Sequence, residues 1–165
     1  ISTGLRTGPP MINGLYNNNY EFVQTENYIV LRTEMISHAR IIPINTEHKM
    51  AALAPMFGES VAHWDGDTLV VETTNFSPMQ EEAAISLTSS GQVVERFTRV
   101  SKEQIVYEFT VDDPAYYSQP WHGELSFLST QSKVYEFACH EGNYAMSGIL
   151  AGARRAEHDQ QQAEQ

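Results

Sequence analysis

The chain has 165 residues, 10 Lys+Arg against 21 Asp+Glu, a net charge of −11 and one cysteine. That length fits one domain, and the few, scattered basic residues argue against a nucleic-acid partner, which would need a positive surface for phosphate contacts. The apolar runs fall well short of the roughly 18 residues that a bilayer span requires, so no membrane span is expected.

The opening stretch from Ile1 to Asn19 holds Gly4, Gly8, Pro9, Pro10, Gly14 and the run Asn17-Asn18-Asn19 without any period, and it reads as an N-terminal arm. It begins at Ile1 without a basic and apolar leader pattern, as expected of a processed chain or of a piece of a longer polypeptide. Between residues 20 and 139 the dominant signal is period two, in segments rich in Val, Ile, Thr, Tyr and Phe that are separated by turn chemistry. The segments are Tyr20 to Gln24, Tyr28 to Met35, Arg40 to Ile44, Thr68 to Phe76, Val93 to Val100, Gln104 to Asp112, Trp121 to Leu128 and Val134 to Cys139. In Gln104 to Asp112 the residues Ile105, Tyr107, Phe109 and Val111 share one face, which marks that face as core.

Short links such as Thr25-Glu26-Asn27, Ser101-Lys102-Glu103 and Ser129 to Lys133 suit hairpins, and Asp65-Gly66-Asp67 reads as a tight turn. The expectation is an all-β fold, an antiparallel up-and-down barrel of about eight strands of the lipocalin/calycin kind, which would leave no open edge. Two longer connections, Asn45 to Trp64 and Ser77 to Gln92, are candidate lids, and Pro78 can open a short helix in the second. Asn143 to Arg155 places Met146, Ile149, Leu150 and Ala153 on one stripe and predicts a C-terminal helix packed on the barrel. Residues 20–155 then form a single domain, and 156–165, which lack an apolar residue larger than Ala, form a flexible tail.

Several strings have a familiar look: His63-Trp64-Asp65-Gly66-Asp67-Thr68-Leu69-Val70-Val71-Glu72-Thr73-Thr74-Asn75-Phe76, Val93-Val94-Glu95-Arg96-Phe97-Thr98-Arg99-Val100 and Cys139-His140-Glu141-Gly142-Asn143-Tyr144. With Tyr16 to Tyr20, Glu34 to Ile42 and Phe109 to Pro114 they resemble a family of uncharacterised secreted bacterial proteins, over about residues 8 to 155. The resemblance implies an envelope or extracellular (periplasmic or secreted) location and an N-terminally trimmed chain; it implies no activity. The Trp-Asp-Gly-Asp-Thr-Leu pattern followed by meander strands is also similar to lipocalin-like barrels, an analogy of fold only.

Candidate chemistry gathers at strand ends. Glu34, His38 and Arg40 place an acid, an imidazole and a guanidinium within one short stretch. There His38 could serve as general acid or base, Glu34 could orient it and Arg40 could hold an oxyanion or carbonyl oxygen. The plainer alternative is a turn histidine beside a structural ion pair. His140 and Glu141 sit where the last strand meets the helix, and the alternative there is helix entry with Asn143 as N-cap. Cys139, on the opposite strand face from His140, reads as a core thiol and not as a nucleophile paired with it.

Arg96 and Glu95, with Arg32, put charge into otherwise apolar segments; an Arg inside the barrel beside Tyr107 would suit a polar ligand head group, and the alternative is an outward ladder of ion pairs. Trp64, Trp121, Tyr116, Tyr117 and Phe57 would ring the opening and clasp a ligand, or else anchor loops. Asp112-Asp113-Pro114 reads as turn chemistry. The His residues lack the short spacings of typical metal sites, so neither a metal nor another cofactor is expected.

The leading expectation is thus binding of a small, partly apolar molecule, with Trp64, Tyr107, Trp121, Arg96 and Asn143 as ligand contacts. Lyase, isomerase or hydrolase chemistry through His38, Glu34, Arg40, His140 and Glu141 is its catalytic option. The competing expectation is a non-catalytic structural or interaction module of a larger secreted protein. An oligomer or larger assembly is compatible with both.

Overall fold

A computed structural model of the chain describes residues 8–14, 16–49, 54–138, 141–142 and 144–163. Its strands are β1 Tyr20–Gln24, β2 Tyr28–Thr33, β3 Ala39–Pro43, β4 Glu59–Asp65, β5 Thr68–Thr74, β6 Gln92–Arg99, β7 Gln104–Asp112 and β8 Trp121–Leu128. They are followed by one helix, α1, Ala145–Ala163. Two antiparallel sheets result, one of order β1-β2-β3 and one of order β4-β5-β6-β7-β8. The fold is therefore mostly β with a C-terminal helix, as the alternation predicts.

Neighbouring strands are sequential because the turns between them are short. Asp65 pairs with Thr68 across Gly66 and Asp67, and Gly66 takes φ +60°, a backbone conformation that favours glycine. Thr25 Oγ1 accepts a 3.0 Å bond from Tyr28 N and closes the β1–β2 turn. Asp113 is buried and caps the end of β7: its carboxylate accepts from Thr88 N at 2.5 Å and Ala115 N at 3.1 Å, the turn role expected of it.

The core lies between the sheets. Ile29, Leu31 and Ile42 from the smaller sheet meet Leu69, Val71, Val93, Phe97, Tyr107, Phe109 and Val111 from the larger. Phe76 and Leu87 from the β5–β6 connection and Met11 from the N-terminal arm complete it. The arm is thus anchored: Met11 is fully buried and its N–H donates to the Tyr107 hydroxyl at 2.8 Å.

Three features differ from expectation. Among the described residues the strands form two separate sheets, with no closed barrel found. Among the described residues β3 and β4 are linked by the isolated parallel bridge Ile44–Ala62 and not by an antiparallel ladder. Strand β4 lies in what reads as a long connection, whereas 134–138 of the expected eighth strand carry no strand; Cys139 falls outside the described residues. Within Ser77 to Gln92, by contrast, Pro78 opens a short helix as expected, the 3-10 helix Pro78–Glu82 capped by the Ser77 hydroxyl. Finally, α1 runs on to Ala163 through the expected tail, and every residue from 145 to 162 is exposed, so its apolar stripe is not packed on the sheets.

Candidate functional site

Alternation along β3 turns Arg40 inward with Ile42, and alternation along β6 turns Glu95 inward with Val93 and Phe97. The two meet between the sheets, Arg40 Nη2 donating to Glu95 Oε2 at 2.6 Å and Nη1 to Oε1 at 3.2 Å. Tyr107 Oη donates to Glu95 Oε1 at 2.9 Å, and Ser60 and Thr73 oxygens lie 3.1 and 3.3 Å from Arg40 Nη2. Burial, followed by the Glu95 charge, pushes the Tyr107 phenol well above its ordinary value. This network is satisfied internally except at Arg40 Nε, which is buried without a hydrogen-bond partner. The Arg beside Tyr107 is therefore Arg40, not Arg96, and it meets a carboxylate of the chain itself.

The expected catalytic group at Glu34, His38 and Arg40 disperses. Glu34 accepts from Asn19 Nδ2 at 2.7 Å, His38 stacks on Phe57 with ring centroids 4.0 Å apart, and Arg40 points into the core. Burial first and the Arg40 charge second lower the His38 pKa, which favours the neutral ring. His140 and Asn143 lie outside the described residues, and Glu141 is exposed in a turn.

Among the expected ligand contacts, Tyr107 is fully buried. Trp121 is half-buried, set edge-on against Phe109 and Tyr117, with an unpartnered Nε1. Trp64 is exposed at the end of β4, and Arg96 faces outward to Asp65 Oδ2 at 2.9 Å. That bond holds the Asp65 carboxyl below its ordinary range. Among the described residues no three of His, Cys, Asp and Glu converge in a manner that could hold a metal ion.

A cavity lies elsewhere, at the seam where β1 faces β7 and β8. It is an open cleft of about 800 Å³. Its apolar floor includes Tyr20, Phe22 and Phe127, with ring centroids 5.2 Å apart for Tyr20–Phe127 and 6.4 Å for Phe22–Phe127. Burial raises the Tyr20 pKa, so its phenol stays neutral at the cleft floor. The rim gathers Arg32, Arg99, Lys102 and Lys133 against Glu21 and Glu103, so four of the chain's 10 cationic side chains stand at one cleft of a protein of charge −11.

Arg32 is paired with Glu21 at 3.4 Å, and the Arg99 guanidinium is held by the carbonyls of Ser101 and Lys102 at 3.0 and 3.2 Å. Lys102 and Lys133 are exposed and make no ion pair among the described residues. Sequence reasoning treats the segments containing Lys102 and Lys133 only as turns. The signal that joins them is topological: in a meander, the β6–β7 turn and the exit from β8 emerge at the same end of the sheet.

No protein-family model, curated protein or solved structure matches this chain.

Proposed function

We propose that this protein binds a small amphipathic anion in the cleft between β1 and β7–β8. The observation that carries the reading is the pairing of Lys102 and Lys133, which make no ion pair among the described residues, with the aromatic floor of Tyr20, Phe22 and Phe127. Such a cleft suits a ligand with an aromatic or aliphatic body and one anionic head, since the cations then meet charge while the rings exclude water. Steering is local, because the rest of the surface is acidic. The reading is one of binding without turnover, as Glu34, His38 and Arg40 each face a different partner.

The finer architecture consistent with it is an opened lipocalin-like barrel. The strands follow sequence order around both sheets, and the rings of β1 and β8 touch across the seam. The family resemblance supports a place of action in the periplasm or outside the cell. Among the described residues no helix is long and apolar enough to cross a membrane.

The test uses 8-anilinonaphthalene-1-sulfonate as an aromatic anion and N-phenyl-1-naphthylamine as its neutral counterpart. Saturable binding of the sulfonate is expected, weakened about tenfold or more, roughly 1.4 kcal/mol, in Lys102→Glu/Lys133→Glu. The neutral probe should bind both proteins alike. Equal sulfonate affinity in the two proteins overturns the assignment of the cleft.

A further inference from the structure

We propose that two copies of this chain exchange their C-terminal helices, the apolar stripe of each α1 packing on the outer face of the other copy's β1–β2–β3 sheet. The proposal does not rest on the ligand reading. Two apolar surfaces of one chain stand uncovered here and match in kind. On α1, Met146, Ile149, Leu150 and Ala153 recur at helical spacing, with Met146 at 66% and Ile149 at 64% exposure. On the sheet, Val23, Val30 and Ile41 stand in register across all three strands. They alternate with Phe22, Ile29, Leu31 and Ile42 of the core and so point outward, Ile41 with 68% exposure. Tyr28, opposite Pro43, extends the row. A sheet face and a helix stripe of this composition are the two halves of an ordinary layer contact.

The occupant is a second copy for three reasons. First, α1 stands clear of its own sheets, and a lone helix of this composition is marginal in water. Second, its charges, Arg154 and Arg155 against Glu157 and Asp159, sum to zero in a chain of −11, so it is the segment that approaches another acidic copy with least repulsion. Third, the chain is already at the smaller sheet just before α1, where Phe137 N donates to Ser37 Oγ at 3.0 Å beside the β2–β3 connection. Exchange in both directions makes the same contact twice and closes a two-fold dimer.

Sedimentation velocity of the full chain at micromolar concentration is expected to give a dimer. Ile149→Glu/Leu150→Glu and, separately, Val23→Glu/Ile41→Glu are each expected to give a monomer that keeps the strand signal in circular dichroism while the helical signal falls. In a Cys139→Ser background, mixing chains carrying Ile41→Cys with chains carrying Ile149→Cys should yield an intermolecular disulfide on mild oxidation. A monomeric wild type overturns the proposal. So does a dimer that survives Val23→Glu/Ile41→Glu, because the helix then has another partner, or a disulfide that forms only within doubly substituted single chains, because docking is then internal.

Discussion

Arg40 and Glu95 form a two-pronged buried ion pair that ties β3 of one sheet to β6 of the other, with the shorter contact 2.6 Å. Their side chains are 4% and 0% exposed, so neither charge has water as an alternative partner. The Tyr107 hydroxyl bonds the same carboxylate and also receives the Met11 N–H, which links the N-terminal arm to the junction.

Removal of either charge should therefore cost far more than removal of both. Arg40→Met or Glu95→Leu alone is expected to lower unfolding free energy by about 3–5 kcal/mol, since each strands a buried ion. The double variant is expected to lose less than either single one, because two apolar side chains can share the vacated space. Urea denaturation of the four proteins measures this. A loss below about 1 kcal/mol in both singles would show that the pair does not hold the sheets together.

How much of this was legible in the sequence differs by level. The bounds of β1, β7 and β8 follow from alternation and turn residues alone. Strand β4 did not, because Glu59-Ser60-Val61-Ala62-His63-Trp64-Asp65 buries the adjacent pair Val61 and Ala62 and has no clean period two. The reverse error concerns residues 134–138, where the alternation of Tyr135 and Phe137 with Glu136 is present but Tyr135 is 67% exposed. A period shows that a segment can be a strand, not that an edge pairs with it. Likewise Arg40 and Glu95 are separated by 55 positions, and no local pattern joins them. Glu34, His38 and Arg40, neighbours in sequence, meet different partners, because the 3-10 turn Met35–Ser37 separates Glu34 from β3 and Arg40 turns into the core.

Gly123 of β8 sits opposite Phe109 of β7, whose ring lies over its Cα. An added Cβ would collide with that ring, and Phe109 is itself wedged against Tyr107 and Trp121. Gly123→Ala should therefore destabilise by about 1–3 kcal/mol despite the better strand propensity of Ala. Thermal denaturation together with near-ultraviolet dichroism of the displaced aromatics checks it. An unchanged or raised Tm would mean that the ring is free to move aside.

On the outer face of the same pair of strands, Glu108 stands directly across from Glu124, and both are exposed. Like charges opposed in this way repel, while Arg96 flanks Glu108 only from the β6 side. Glu124→Lys converts the repulsion into a cross-strand attraction. It should stabilise by about 0.2–1 kcal/mol at low salt, with the gain shrinking as salt is added. A stability change that is indifferent to salt would assign the effect to something other than this pair.

His38 supplies a pH dependence whose sign follows from its surroundings. Its folded pKa lies below the ordinary 6.5, burial being the larger cause and the Arg40 charge the smaller. Between those two values the unfolded chain binds a proton that the folded chain refuses, so stability rises with pH there. The favourable contribution is complete above about 6.5 and is lost as pH falls through the folded pKa. Wild type should therefore lose more Tm than His38→Gln between neutral pH and pH 5. Above neutrality the two should differ by a constant offset from the lost stack on Phe57. His48 beside Glu59 and His63 beside Glu72 are common to both proteins and drop out of the comparison. Parallel Tm profiles across the whole range would mean that the His38 ring is as free to take a proton in the folded chain as in the unfolded one.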